Sequence, residues 1–291
     1  MNPSATETKS GKGHTDENFP VARLVQPRHR GPILAFYRFV RAADDIADHA
    51  DLTPEQKLAM LDGLDAALTG AAPPDPEAEP LRLALAERGL SPKHAQDLLD
   101  AFRLDATKRR YRDWNDLIGY CALSAMPVGR FVLDVHGEDR STWIASDPLC
   151  AALQVINHLQ DCGKDYRSLD RVYLPEDAMI RHGVSLTDLS ATRSSPALLA
   201  LIRDLADRSG ELLDRSRCFA GVTRDLRLGL EVAVIQALAE HLVATLRTKD
   251  PLADRVHATK PEAAAFTFVG IVQGLWRRRP GGARAAASAP S

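Results

Sequence analysis

The sequence predicts an all-α protein, one bundle of amphipathic helices. Leu, Ala, Arg and Asp are abundant, and these residues favour helix over sheet. Apolar residues recur at three- and four-residue spacing behind repeated helix-start signals, as at Leu58, Leu61, Leu64 and Leu68. No stretch alternates convincingly at period two, so no sheet is expected.

The elements follow in order. A helix is expected near 32–49. Thr53, Pro54 and Gln56 supply an N-cap, a proline at the first helical position and a capping-box partner for a helix over 54–69. Residues 72–80 hold four prolines and read as a loop, with a helix near 79–88 after it. Ser91-Pro92 opens a helix over 92–109, and further helices are expected near 114–137, 146–167 and 175–181. Ser195-Pro196 starts one over 195–219. Two more are expected near 224–247 and 261–277. No linker divides the chain into two cores, so one domain is expected over 14–279, flanked by polar or Gly/Ala-rich tails at 1–13 and 280–291.

Bulk properties narrow the function classes. The 291 residues carry a formal net charge of −2, so no strong field steers nucleic acid. Four dispersed cysteines form no CxxC pair, which argues against a zinc site or disulfide framework and for a reducing, cytoplasmic setting. The N-terminus lacks the apolar core of a signal peptide, and no apolar run reaches bilayer-spanning length. The apolar stretch Ala263–Trp276 runs into Arg277, Arg278 and Arg279. The plain reading is a last helix packed on the bundle. The sharper one is a peripheral contact with an anionic leaflet, at the inner face of the plasma membrane.

Two acidic stripes carry the chemistry. Tyr37, Arg41, Asp44 and Asp48 are spaced four, three and four, with Asp45 one step round, among Ile33, Leu34, Phe36, Val40 and Ala43. Gln154, Asn157, Asp161 and Asp165 share a face of a second apolar helix, followed by Arg167, Arg171 and Tyr173. With 39 acidic residues, either stripe alone reads as a solvated face. Together they imply more. Facing one another, five carboxylates would share a cavity, and like charges about 6 Å apart repel by roughly 3 kcal/mol per pair at an effective dielectric near 20. Such a site requires cations, and all-oxygen ligands point to Mg²⁺ bridging a diphosphate. Arg41, Arg171 and Lys164 would complete the charge balance.

These motifs resemble those of the squalene/phytoene synthase family, the trans head-to-head isoprenyl synthases, from about His14 to Lys260. Asp44-Asp45-x-x-Asp48 with Tyr37 and Arg41 is similar to the first aspartate motif, and Gln154, Asn157, Asp161 and Asp165 to the second. Arg171, Tyr173 and Pro175 resemble the flap that follows it, and Tyr120 to Gly129 a motif between the two. The closest likeness is to the bacterial hydroxysqualene synthases of hopanoid pathways. It rests on Glu17 to Val21, Ser124 to Arg130, Asn157 to Cys162, Asp250 to Leu252, and Arg255-Val256.

The resemblance implies an isoprenoid-synthase bundle around a central apolar cavity. It implies Mg²⁺ held by Asp44, Asp45, Asp48, Asn157, Asp161 and Asp165, and a prenyl diphosphate substrate contacted by Tyr37, Arg41, Gln154, Lys164, Arg171 and Tyr173. Tyr120 would face carbocations; its plain reading is a core tyrosine with a satisfied hydroxyl. The implied reaction ionises presqualene diphosphate and captures the rearranged cation with water held by Ser124, Tyr120, Asn157 and Gln160. The hydroxysqualene formed would pass to other hopanoid-pathway enzymes.

The sequence also departs from the family pattern. Gln160 and Lys164 stand where the second motif commonly has Arg and Glu. Met126 and Pro127 introduce bulk and a helix irregularity. No tyrosine follows Tyr173, and the C-terminal membrane span of squalene synthases is missing. Alternatives are a presqualene diphosphate, squalene or phytoene synthase condensing two prenyl diphosphates, a non-catalytic helical assembly or binding factor, and a peripheral membrane module.

Overall fold

The computed structural model describes residues 26–257, which fall into two compact units dividing between Arg109 and Arg110. Among the described residues the regular elements are helices, as the composition and periodicity predict. The tail at 1–13, Glu17 to Val21, the 261–277 helix with its basic end and the tail at 280–291 lie outside the described residues.

The first unit holds α1 (Pro27–Ala47), α2 (Pro54–Thr69), α3 (Glu79–Arg88) and α4 (Lys93–Thr107). α1 starts earlier than expected because Pro27, not Pro32, takes the first-turn position. Pro32 then lies inside the helix with no N–H to give, leaving the Arg28 carbonyl four residues back without its usual donor. The Arg88 guanidinium at the end of α3 donates to that carbonyl. A tertiary contact therefore makes the interior proline tolerable. Ile33, Phe36, Phe39 and Ala43 bury the inner face of α1, which packs on α2, α3 and α4.

The capping box ahead of α2 forms as its sequence predicts: Gln56 N–H donates to Thr53 Oγ1 at 3.3 Å, and Thr53 N–H to Gln56 Oε1 at 2.9 Å. Lys57 Nζ donates to the Ala47 carbonyl at 2.8 Å, so α2 caps the end of α1. Arg103 of α4 reaches Asp62 and Asp65 of α2 and clamps these helices together.

The second unit holds α5 (Trp114–Ser124), α6 (Met126–His136), α7 (Trp143–Leu169), α8 (Glu176–His182), α9 (Pro196–Ser216), α10 (Phe219–Val222) and α11 (Leu226–Leu246). The helix expected over 114–137 is divided at Ala125, whose φ of −129° and ψ of −45° leave the helical region. Pro127 cannot donate to the Leu123 carbonyl and its ring crowds that turn, so the chain restarts as α6. α7 begins before the expected position because Asp139 caps a short 3₁₀ turn at Arg140–Thr142 that feeds into it, accepting from Ser141 N–H at 2.8 Å.

α7 is the spine of this unit, packed on α5, α6, α9 and α11. Gly129 lets α6 approach closely: a Cβ there would stand 2.6 Å from both Cys150 Sγ and Ser146 Oγ of α7. Arg130 joins the same helices by a bidentate pair with Asp147, at 2.6 and 2.9 Å. Burial pushes the Cys121 and Cys162 thiols up to about 12, so neither is a thiolate at neutral pH.

Two stretches, Trp114–His136 and Leu226–Leu246, are long and apolar enough to cross a membrane by length and composition. This differs from the expectation that no run reaches that length: Leu226–Leu246 is apolar enough on average although Glu231 and Glu240 interrupt it. Core helices pass the same test, and α11 buries Leu228, Val232, Leu242 and Val243.

The chain after α11 is held by Asp250. Its carboxylate accepts from Ser194 N–H (2.9 Å), Ser194 Oγ–H (2.6 Å) and Leu252 N–H (3.0 Å). Burial raises its pKa, but these donors outweigh burial and hold the carboxyl below its ordinary value. A depressed carboxylate pKa contributes stability that is complete above the unfolded value, about 3.9, and disappears as pH falls through the folded one. Asp250→Asn should therefore lower stability by about 1.5–3 kcal/mol at neutral pH. The gap to the parent protein in urea unfolding midpoints should close as the solution is acidified below that range.

Candidate active site

The first acidic stripe occupies the C-terminal end of α1. Asp44 and Asp45 lie in its last turn and Asp48 is the C-cap, its N–H donating to the Asp44 carbonyl at 2.9 Å. Carboxylates are disfavoured there by roughly 0.3–1 kcal/mol, because the helix dipole already makes that end negative. The Arg41 guanidinium is divided between Asp44 Oδ2 at 2.7 Å and Asp45 Oδ1 at 3.1 Å. Tyr37, Arg41, Asp44, Asp45 and Asp48 are all half-buried. The arrangement concentrates negative charge at a partly accessible helix end.

The second stripe runs toward the C-terminal end of α7, where Asn157, Asp161 and Asp165 are half-buried. Asp165 Oδ2 lies 3.8 Å from His158 Nδ1, and Gln154 Nε2 lies 3.1 Å from His158 Nε2. The next segment is fixed rather than loose. Asp170 ends α7 in the left-handed region at φ 49°. Arg110 holds it by donating to its carbonyl at 2.5 Å and to its carboxylate at 2.6 Å. Residues 171–175 are buried, including Arg171, and Glu176 N–H donates to the Tyr111 carbonyl at 2.8 Å.

Tyr173 belongs to an aromatic cluster. Tyr111, Tyr120 and Tyr173 have ring centroids 5.3–5.5 Å apart. His158 stacks on Tyr173 at 3.5 Å and 12°. Such contacts contribute roughly 0.5–1.5 kcal/mol each beyond burial.

Within each unit, then, the structure gathers part of the expected set: Arg41 with Asp44 and Asp45 in the first, Gln154, Asp165, Tyr120 and Tyr173 around His158 in the second. Lys164 is exposed. Ser124 Oγ is buried with no hydrogen-bond partner among the described residues. One expectation is corrected. Gln160 is not a group for holding water, because it is buried and its amide donates to the Val256 carbonyl at 3.0 Å. The amide tethers the segment after α11 to α7. Leu252 of that segment packs near Gly163, and His257 Nε2 stands 4.0 Å from Asp161 Oδ1.

The sequence patterns missed Tyr111 and His158. Tyr111 is a single residue with no periodic partner, and only its packing against Tyr173 gives it significance. His158 lies on the face of the second stripe, four residues after Gln154 and three before Asp161, so the 4-3-4 spacing carries a signal that could have found it.

Residues 12–262 match the sequence profile of the squalene/phytoene synthase family. The chain belongs to this family. It is an isoprenoid synthase with the all-α fold, and the family in general acts on prenyl diphosphates with divalent metal. It is 56% identical over 276 residues, 94% of each chain, to the hydroxysqualene synthase of Rhodopseudomonas palustris. It is 52% identical over 260 residues, 89% of each chain, to that of Sinorhizobium fredii. The crystal structure of a squalene synthase from Alicyclobacillus acidocaldarius superposes with a TM-score of 0.69 at 31% identity, covering 77% of this chain and 85% of that one.

The candidate donors fit a hard cation. Within the first unit Asp44, Asp45 and Asp48, and within the second Asn157, Asp161 and Asp165, each offer oxygen toward a metal, the ligand chemistry of Mg²⁺. Asp45→Asn and Asp161→Asn should each nearly abolish turnover; without metal the thermal midpoint should hold or rise slightly in Asp161→Asn, which removes a repulsive charge, and change little in Asp45→Asn, where relief of repulsion is offset by loss of the Arg41 contact. Activity assays with and without chelator, beside thermal melts, check this; full activity of both variants would remove these carboxylates from the site.

Proposed function

We propose that this family member is a hydroxysqualene synthase, converting presqualene diphosphate and water to hydroxysqualene and diphosphate. The observation that carries the assignment is the 56% identity, over 94% of both chains, to a relative of that name. In reaction class it is a carbon–oxygen lyase: the C–O bond to diphosphate breaks, a bond to water oxygen forms, and the proton leaves with the diphosphate.

Magnesium, when bound, would neutralise the leaving diphosphate as its bond to carbon breaks. Asp44, Asp45, Asp48, Asn157, Asp161 and Asp165 are the residues that would hold it. Arg41, Arg171 and Lys164 supply positive charge toward the diphosphate, and Tyr37, Gln154 and Tyr173 complete the contacts. Tyr120 and its ring neighbours supply an apolar wall with negative π faces, suited to a carbocation and hostile to bulk water. The assignment of Ser124 as a group that would hold the water ending the reaction is supported by its buried hydroxyl, unpaired among the described residues and four residues on from Tyr120 on the same helix. Because the product is apolar, we place the protein in the cytoplasm at the inner face of the membrane, handing hydroxysqualene to later hopanoid enzymes.

A second reading is squalene synthesis, in which hydride rather than water quenches the cation; the likeness to the Alicyclobacillus acidocaldarius squalene synthase favours it. Incubation of protein, Mg²⁺ and presqualene diphosphate in ¹⁸O-water, with and without NADPH, separates the two. The expected product is an ¹⁸O-labelled alcohol, unaffected by NADPH. Squalene formed only with NADPH selects the second reading, and consumption of farnesyl diphosphate to presqualene diphosphate alone makes the protein a condensing synthase.

A further inference from the structure

His158 sits at the centre of the second unit's cluster, and neither the aspartate motif nor the flap accounts for it. Its side chain is only 11% exposed. Leu159, Ile156 and Val155 around it on α7 are apolar and buried, and an aliphatic residue could fill the same space. A buried imidazole is costly unless its ring nitrogens are matched, so the matches are informative.

The two nitrogens meet different groups. Nε2 lies 3.1 Å from the Gln154 amide nitrogen, which has only hydrogens to give, so Nε2 accepts. A neutral ring then carries its proton on Nδ1, which is directed at Asp165 Oδ2, 3.8 Å away. The reverse arrangement would aim the Nδ1 lone pair at a carboxylate, so the Asp165 charge itself selects the Nδ1–H form. At 3.8 Å the contact is electrostatic rather than a formed hydrogen bond, and a small rotation of the carboxylate closes it. The ring plane is set independently by stacking on Tyr173 at 3.5 Å and 12°, with Tyr120 at 6.0 Å. Tyr173 is two residues from the buried Arg171.

We propose that His158 is a positioning residue that orients the Asp165 carboxylate for a divalent cation and couples that orientation to the Tyr173 segment. The inference rests on the metal-binding role given to Asp165 above. The physical reason is general: a carboxylate that ligates a metal is held by a hydrogen-bond donor behind it, and loss of that donor typically weakens metal binding. Here Nδ1–H is the donor, Gln154 fixes which nitrogen carries the proton, and Tyr173 fixes where the proton points.

The test uses the full chain and calorimetric titration of Mg²⁺ in the presence of inorganic diphosphate, with no turnover involved. His158→Phe keeps a ring against Tyr173 but removes the donor; its thermal midpoint should hold while Mg²⁺ affinity falls roughly ten- to hundred-fold. His158→Asn sets an amide nitrogen near the position of Nδ1 but gives up the stack that aims it; it should recover part of the affinity. Unchanged Mg²⁺ affinity in His158→Phe overturns the proposal, as does His158→Asn binding as weakly as His158→Phe. If His158→Phe does not fold, ¹⁵N spectra of the parent protein decide, since an Nε2–H tautomer overturns the proposal. A parent protein that binds no Mg²⁺ with diphosphate overturns both this inference and the role of Asp165. A parent that binds Mg²⁺ but yields no hydroxysqualene overturns the reaction assignment alone.

Discussion

Negative charge placed at the negative ends of helices is the constraint around which the site residues are arranged. In α1, Asp44 and Asp45 occupy the last turn and Asp48 the cap; in α7, Asp165 lies near the end with Asp161 a turn earlier. Carboxylates near helix N-termini stabilise a fold, and here they stand at the other end. The first stripe has Arg41 divided between two of its carboxylates, and the second has a histidine 3.8 Å from one of its own. Folding alone gains nothing from this placement. A cation-bridged diphosphate would convert the cost into binding, as the proposed function requires of the stripes.

The rest of the second unit serves to make α7 rigid where its acidic residues lie. α5, α6, α9 and α11 pack around it, and Gly129 with the Arg130–Asp147 pair brings α6 close. Past Asp170, the Arg110 clamp and the Tyr111 backbone pin the Arg171 to Pro175 segment, so Arg171 and Tyr173 are presented by buried, ordered chain. The segment after α11 is drawn in by Gln160 and Asp250 and ends beside Asp161. Gln160 thus acts as a tether between α7 and that segment.

Helix existence and most boundaries were legible because their causes are local. The Thr53 and Ser195 caps, the prolines behind them and the apolar periodicity act within one or two turns. The misplaced boundaries have tertiary causes. Pro32 reads as a helix start, yet Arg88 from another helix supplies the donor that lets α1 run through it. Pro127 could be expected to disturb its helix, but whether it kinks or divides depends on packing, and here Ala125 leaves the helical region altogether. Tyr111 escaped notice because an isolated aromatic has no pattern, and its meaning lies in the ring it touches. His158 keeps the helical spacing of Gln154, Asp161 and Asp165, but its stack on Tyr173 comes from packing.

By itself, the sequence determined the all-α class, both aspartate stripes and their identity as one family's motifs, because helical periodicity fixes which side chains share a face. Tertiary structure alone decided which residues beyond the motifs join them. It turned Gln160 inward to Val256, left Lys164 exposed, buried Arg171, and stacked Tyr173 on His158. The physical reason is that a side chain's direction along its own helix is a local property. The partner it meets there comes from chain far away in sequence, and no spacing rule encodes it.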